Sequence, residues 1–289
     1  MEIANLRGIA RLVNHAAFKK LSLETNQSAY IRQLKKYANW ETIQDDLKPK
    51  KLEELLTYGY QLLVDNYRNE YVYKSTLLNN FILQNYCLDD TIILNEFRIN
   101  ESIADVVLVN GTNKVFEIKT ELDTLERFES QVNDYYKAFS EVYLVTHYTV
   151  CDKYAQSIDP RVGVIVYAQD NSLQEMRPAE KVMQHLDTRT MMASLRKPEY
   201  LRMVKNIAGF VPSATPVFLY QECLNVLLQF SAEEVQRVYH KILKERISDT
   251  KNVHIRENLV PNCLNYSYYS QNINEKSYLT LQNNLNKKV

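Results

Sequence analysis

Between Ile103 and Lys119 the chain places three ionic side chains where an apolar strand has no use for them. Asp105 interrupts the run Ile-Ala-Asp-Val-Val-Leu-Val, and after an Asn110-Gly111 turn signal Glu117 and Lys119 interrupt Val-Phe-Glu-Ile-Lys. Side chains alternate along a strand, so Glu117 and Lys119 project to one face about 7 Å apart while Phe116 and Ile118 fill the other. An unpaired carboxylate in an apolar sheet is costly, so something must compensate the set. Metal-assisted phosphodiester hydrolysis is the chemistry that needs it. Two carboxylates are hard oxygen ligands for Mg²⁺ or Mn²⁺, which keeps several waters and also takes substrate phosphate oxygens. Such a cation lowers the pKa of a bound water, and a nearby ammonium orients that water and holds transition-state charge. Asp105 joins the other two only if the hairpin pairs it with an odd-numbered residue, through an odd-length loop or a bulge around Asn110 to Asn113. An even two-residue loop turns it to the wrong side.

The elements that must position these residues follow from periodicity. Residues 1 to about 65 have helical spacing, as does the stretch Tyr71 to Tyr86, where Leu77, Leu78, Phe81 and Ile82 mark one buried face. Thr91 to Ile99, Ile103 to Val109, Lys114 to Lys119, Val142 to Thr146 and Val164 to Tyr167 are short β-branched or aromatic runs bounded by turn residues, and are expected to be strands. Between the third and fourth, Asp123 to Phe139 has the pattern of an amphipathic helix with Asp123 as N-cap. From about Leu173 the strands are expected to stop. Glu180 to Ala208, Pro216 to Phe230 and Ser231 to Ile247 have helical spacing, the last with Ser231-Ala-Glu-Glu as its N-cap. The sequence therefore divides into a helical region 1–65, an α/β core 66–175, a helical lobe 176–261 and an Asn- and Tyr-rich tail 262–289 without period, expected to be irregular.

Asp105, followed 12 positions later by Glu117-Ile118-Lys119, resembles the PD-(D/E)XK nuclease superfamily, and the order helix, three strands, helix, strand looks like that family's core. The resemblance spans roughly residues 66 to 147. It implies a restriction-endonuclease-like mixed sheet of four to five strands flanked by helices, with helical extensions at both ends. It also implies two further positions. Gln131 and Tyr135, as Gln-x-x-x-Tyr on the helix after the lysine, look like the motif of the RecB-like exonuclease branch, and Glu70 is placed like the family's first acidic residue. The run from Glu117 to Tyr135 is similar to a little-studied group of such proteins carried by bacteria, phages and mobile elements. Where many relatives have Arg two positions before the aspartate, this chain has Ile103, and Arg98 lies earlier. Glu96 in the first strand is a competing acidic candidate. Glu121, Asp123, Glu126 and Glu129 are assigned to favourable interaction with a helix N-terminus.

Composition bounds the alternatives. The 289 residues carry 35 Lys+Arg against 35 Asp+Glu, which excludes a long basic nucleic-acid arm. Five glycines provide no phosphate-binding loop, and five dispersed histidines provide no i, i+4 zinc pair. Cys87, Cys151, Cys223 and Cys263 form no C-x-x-C pair, so they are assigned to packing as reduced thiols. No run reaches the about 18 apolar residues of a membrane span and the N-terminus lacks a secretory pattern, so a cytoplasmic protein without a membrane partner is expected. Charge is uneven: residues 87 to 141 hold 12 Asp+Glu and 5 Lys+Arg, whereas 177 to 256 hold 8 and 13. Arg189, Arg196, Lys197, Arg202 and Lys205 are thus candidates to track a nucleic-acid backbone, with Tyr135 as a further contact. The expectation is a Mg²⁺- or Mn²⁺-dependent enzyme that hydrolyses DNA phosphodiesters in defence, counter-defence or recombination. Its metal ligands are Asp105 and Glu117, its water-orienting residue Lys119, and its supporting residues Glu70 and Gln131. A rival is an inactive nuclease-fold module that binds nucleic acid or a protein partner. A third reading is a structural protein whose Tyr-rich tail assembles a homodimer or larger oligomer.

Overall fold

The β-branched and aromatic runs of the middle chain become strands β1 (Ile92–Ile99), β2 (Ser102–Val109), β3 (Asn113–Lys119), β4 (Glu141–His147) and β5 (Gly163–Tyr167). This computed structural model describes residues 1–111, 113–246 and 248–289; Thr112 and Ile247, the expected end of a helix, lie outside the described residues. A sixth strand, β6 (Leu173–Arg177), pairs antiparallel with β5. The sheet order is β1-β2-β3-β4-β5-β6, mixed rather than uniform: β1–β2–β3 is an antiparallel meander, and β3–β4 and β4–β5 are parallel. The α/β class is as expected, but the sheet has six strands, not four to five. β6 escapes the pattern because it is a polar edge strand, Leu-Gln-Glu-Met-Arg, with no buried residue to set an alternation.

Each parallel step needs a crossover. The helix Phe128–Tyr135 supplies the first and Cys151–Ser157 the second. The first helix begins later than expected because Asp123 is not its N-cap; its carboxylate accepts from Thr120 N at 2.8 Å and Thr120 Oγ1 at 2.7 Å, which turns the chain where β3 ends. One face of the sheet, including Val107, Val109, Val115, Val142 and Leu144, joins Phe128, Val132, Tyr135 and Phe139 in a single core. The same core takes Met191, Met203, Leu224, Tyr239 and Ile242 from the helices Thr188–Ala193, Lys197–Ala208, Leu219–Leu227 and Ala232–Lys244. The last of these opens as its residues imply, with Ser231 Oγ accepting from Glu234 N and Ser231 N donating to Glu234 Oε2. The stretch Glu180 to Ala208 is two helices rather than one, parted where Arg196 N caps onto Glu199 Oε2 at 2.8 Å ahead of Pro198.

The described residues fall into two units: Tyr86–Ser248, which holds the sheet, and Met1–Asn85 together with Asp249–Val289. The second is all helical, and it corrects the expectation of an irregular tail. Asn262–Ser270 and Glu275–Leu285 are helices. Tyr266, Tyr268 and Tyr269 are all buried, so Asn262–Ser270 is covered nearly all round and shows no single-face period. Polar bonds tie the tail in: Tyr71 OH donates to Cys263 O at 2.7 Å, and Asn284 Nδ2 donates to Leu21 O at 2.8 Å and Glu24 O at 2.7 Å. The helix Glu70–Thr76 continues through a π-helical turn, Leu77–Ile82, to Asn85. Three cysteines are buried, as packing requires; Cys87 is exposed.

Candidate active site

The β2–β3 hairpin satisfies the register condition. Val109 pairs with Asn113 and Val107 with Val115, odd with odd, with three residues between the first pair in sequence. Asp105 follows in that register opposite Glu117, but the backbone ladder ends at Val106 and Phe116. Beyond it the Asp105 carboxylate takes the place of a main-chain acceptor, with Oδ2 accepting from Ile118 N at 2.8 Å. The other flank of Asp105 is also irregular. In β1 the register passes from Asn95 to Phe97, and the skipped Glu96 has φ 50°. Across this point the core-facing set shifts from Ile92 and Leu94 to Phe97 and Ile99, and on β2 from Val109 and Val107 to Ala104. A left-handed non-glycine residue stores strain, and here it accompanies a kink shared by both strands at Asp105.

Glu117 is the centre of the cluster and is 3% exposed. Its Oε1 accepts from Lys119 Nζ at 2.8 Å and Gln131 Nε2 at 2.7 Å, and its Oε2 accepts from Tyr135 OH at 2.7 Å. Gln131 and Tyr135 are one helical turn apart and face the sheet together. The helix holding them is anchored by Asp134, which accepts from Asn100 Nδ2 at 2.7 Å and Ser102 Oγ at 2.8 Å, next to the β1–β2 turn. Burial first, and then the negative charges of Glu117 and Asp105, hold the Tyr135 phenol well above its ordinary pKa, so it stays protonated and donates. Lys119 is fixed at its backbone too, where its carbonyl accepts from Thr146 Oγ1 at 2.7 Å.

The donor set suits a hard divalent cation. Mg²⁺ is held through one or two carboxylates with retained waters, and Asp105 and Glu117 provide two. Gln131 Oε1 is buried without a hydrogen-bond partner beside them, an acceptor that a coordinated water would satisfy. Among the described residues no group of three or more His, Cys, Asp and Glu is arranged to hold a metal, so the two carboxylates would be the side-chain ligands.

The remaining candidates are on other elements. Glu70 belongs to the helical unit, where its carboxylate accepts from Lys74 Nζ at 2.6 Å. Arg189, Arg196, Lys197, Arg202 and Lys205 are all exposed on the sheet unit, and Arg202 pairs with Glu245 at 2.8 Å. The sequence pattern missed the Ile118 amide as the partner of Asp105, a backbone group that no residue type announces. It also missed the left-handed Glu96 backbone, which has no glycine to signal it.

Comparison with known proteins places the chain. A family model described as bacteriophage P4 protein cII matches residues 64–267. The chain belongs to the phage P4 cII family. Protein cII of Enterobacteria phage P4 is 26% identical over 170 residues, covering 57% of this chain and 63% of that relative, so the chain spans less than two thirds of the relative's length. The phage association expected from the sequence is therefore borne out. A solved structure, the SPO1766 protein of unknown function from Silicibacter pomeroyi, aligns with 51% of this chain and 76% of that one at 12% identity and a TM-score of 0.26, a likeness that carries no argument. The span matched to the cII family contains Glu70, Asp105, Glu117, Lys119, Gln131, Tyr135 and the basic residues of the helical lobe. Among the described residues no helix is long and apolar enough to cross a membrane.

Proposed function

We propose that the chain is a divalent-metal-dependent nuclease of the PD-(D/E)XK type that hydrolyses DNA phosphodiester bonds, with Asp105 and Glu117 as metal ligands. The observation that carries this reading is the odd-with-odd β2–β3 register, which sets Asp105 opposite a Glu117 already bonded to Lys119, Gln131 and Tyr135. A bound Mg²⁺ or Mn²⁺ would supply an acidified water and offset phosphate charge. The chain's own residues do the rest. The Ile118 amide fixes Asp105, while Gln131 and the neutral Tyr135 hold Glu117 in one rotamer. The Lys119 ammonium, 2.8 Å from Glu117, orients the attacking water and stabilises charge as the bond breaks. Glu70 enters as a supporting acid through the family resemblance alone, and the exposed basic residues of the helical lobe would contact the substrate backbone. In a phage-family protein such an enzyme would serve defence, counter-defence or recombination.

The test is incubation of single- and double-stranded DNA and RNA with Mg²⁺, Mn²⁺ or EDTA, using the wild-type chain and Lys119→Ala. Metal-dependent cleavage that falls by about 10² or more in the variant is expected. Cleavage that survives the substitution unchanged refutes the assignment. A second reading, a nuclease-fold module that binds nucleic acid or a protein without cutting, is favoured by one observation: both Glu117 oxygens already accept hydrogen bonds within the chain. It predicts binding that tolerates both EDTA and Asp105→Asn, with no product.

A further inference from the structure

The one tryptophan of the chain, Trp40, lies in the helical unit and has no part in the proposed active site. The helix Ser28–Tyr37 ends with Lys35 and Lys36 in its last turn, and Asn39 then takes a left-handed φ of 53°. Asparagine tolerates that conformation, and Asn5 Nδ2 donates to its side-chain oxygen at 3.0 Å. The reversal leads at once into the short helical turn Trp40–Thr42 and brings the indole under Lys35, whose ammonium lies 4.1 Å from the ring centroid. The antiparallel bridge of Lys288 with Lys51 carries another cation to the same place. Arg32, Lys35, Lys36, Lys288 and Trp40 wall a cavity of about 700 Å³, and among the described residues lining it Glu41 provides the single carboxylate side chain.

Four cationic side chains against the one carboxylate side chain of Glu41 leave the cavity with an excess of positive charge that a bound anion would offset. An aromatic ring set among them adds a second demand, since inorganic phosphate offers nothing to stack. We infer that this cavity binds a short stretch of single-stranded nucleic acid, with a base stacked on Trp40 and its flanking phosphates on Arg32, Lys35, Lys36 and Lys288. Every base has a π-face, so such a site is tolerant of sequence, and a guanidinium matches a phosphate in bidentate fashion. A duplex keeps its base faces inside the stack and offers only its backbone. The volume is of the size of a small-ligand pocket, about 300–1,000 Å³, which suits one or two nucleotides rather than a helix.

The experiment reads Trp40 itself. The full-length chain in EDTA is titrated with a ten-nucleotide oligothymidylate, and intrinsic tryptophan emission is followed. Saturable quenching is expected, with log K falling against log salt at a slope of about −2 to −3, from about 0.7 per phosphate neutralised on a single strand. By anisotropy of a labelled strand, Trp40→Ala weakens binding by about 5- to 150-fold, whereas Trp40→Phe keeps most of the affinity because a phenyl ring still stacks. Lys36→Ala reduces the salt slope by about 0.7. Binding with no change in Trp40 emission overturns the inference. So does equal affinity for an abasic strand of the same length, a hairpin duplex or oligoglutamate. Should Trp40→Ala not fold, the wild-type quenching and the Phe variant decide alone. Quenching is read in EDTA, where the proposed metal-dependent cleavage does not run, so a negative cleavage assay and a negative quenching assay are separate outcomes.

Discussion

Removing the Tyr135 hydroxyl tests whether Glu117 is held as described. The phenyl ring of Tyr135→Phe keeps its place in a fully buried site, so no cavity opens and the change is confined to one hydroxyl, which donates to Glu117 Oε2, lies 3.0 Å from Ile103 O and accepts from Gln131 Nε2 at 3.4 Å. Glu117 is 3% exposed and accepts from three donors, of which Tyr135 OH at 2.7 Å serves Oε2. A hydrogen bond to a charged group contributes about 1.5–3 kcal/mol, and losing the buried hydroxyl returns part of its own desolvation cost, so a loss of about 2 kcal/mol is expected. In a unit of this size that corresponds to about 4–8 °C in Tm. The clean measurement is a double-mutant cycle with Glu117→Gln, by urea unfolding followed in far-UV circular dichroism with m unchanged. A coupling of about 1.5 kcal/mol or more is expected. Additivity within about 0.5 kcal/mol would show that the phenol and the carboxylate do not interact, and the mutual positioning of helix and strand would fall with it.

Two other outcomes follow from the same geometry. If Asp105 is a metal ligand, Mn²⁺ at ten times its dissociation constant stabilises the wild-type chain by about 1.4 kcal/mol in a thermal melt, and Asp105→Asn abolishes the shift; an equal shift in the variant removes Asp105 from the ligand set. Burial pushes the His240 imidazole down from 6.5 to about 3, and its Nε2 is buried without a hydrogen-bond partner. Between those values the unfolded chain binds the extra proton, so stability is lost as pH falls through 6.5, by about 2 kcal/mol at pH 5. His240→Phe should lose that part of the pH dependence in urea unfolding at pH 7 and pH 5. An identical drop in both proteins would place the titration elsewhere.

Much of the site was legible because ionic residues in apolar strands are conspicuous. Asp105, Glu117 and Lys119 stood out by type, and β-branched runs between turn residues fixed β1 to β5 closely. What was illegible has identifiable causes. β6 has no buried residue to impose alternation, and the helix Asn262–Ser270 is buried on too many sides to show a stripe. The π-helical turn Leu77–Ile82 breaks the 3.6-residue repeat that a pattern search assumes. Asp123 had the right type for an N-cap but was captured by Thr120, three residues earlier and just past the end of β3. The bond from the Ile118 amide to Asp105 depends on where a ladder stops, which side-chain types do not encode. Trp40 was one aromatic among 31 in the sequence; its significance lies in cations that arrive from residues 32 to 36 and from residue 288.

The helical unit is assembled from two segments, Met1–Asn85 and Asp249–Val289, with the sheet unit between them in sequence. This has a consequence for synthesis. As the ribosome works, Tyr86–Ser248 is complete while Leu21 and Glu24 still await the Asn284 amide, and Tyr71 still awaits the Cys263 carbonyl. The sheet can close on its own local contacts, whereas Met1–Asn85 must wait for Asp249–Val289 to emerge before its apolar faces are covered. Nascent chains halted near residue 248 should therefore expose a sticky amino-terminal segment beside a finished neighbour, a natural substrate for a holding chaperone.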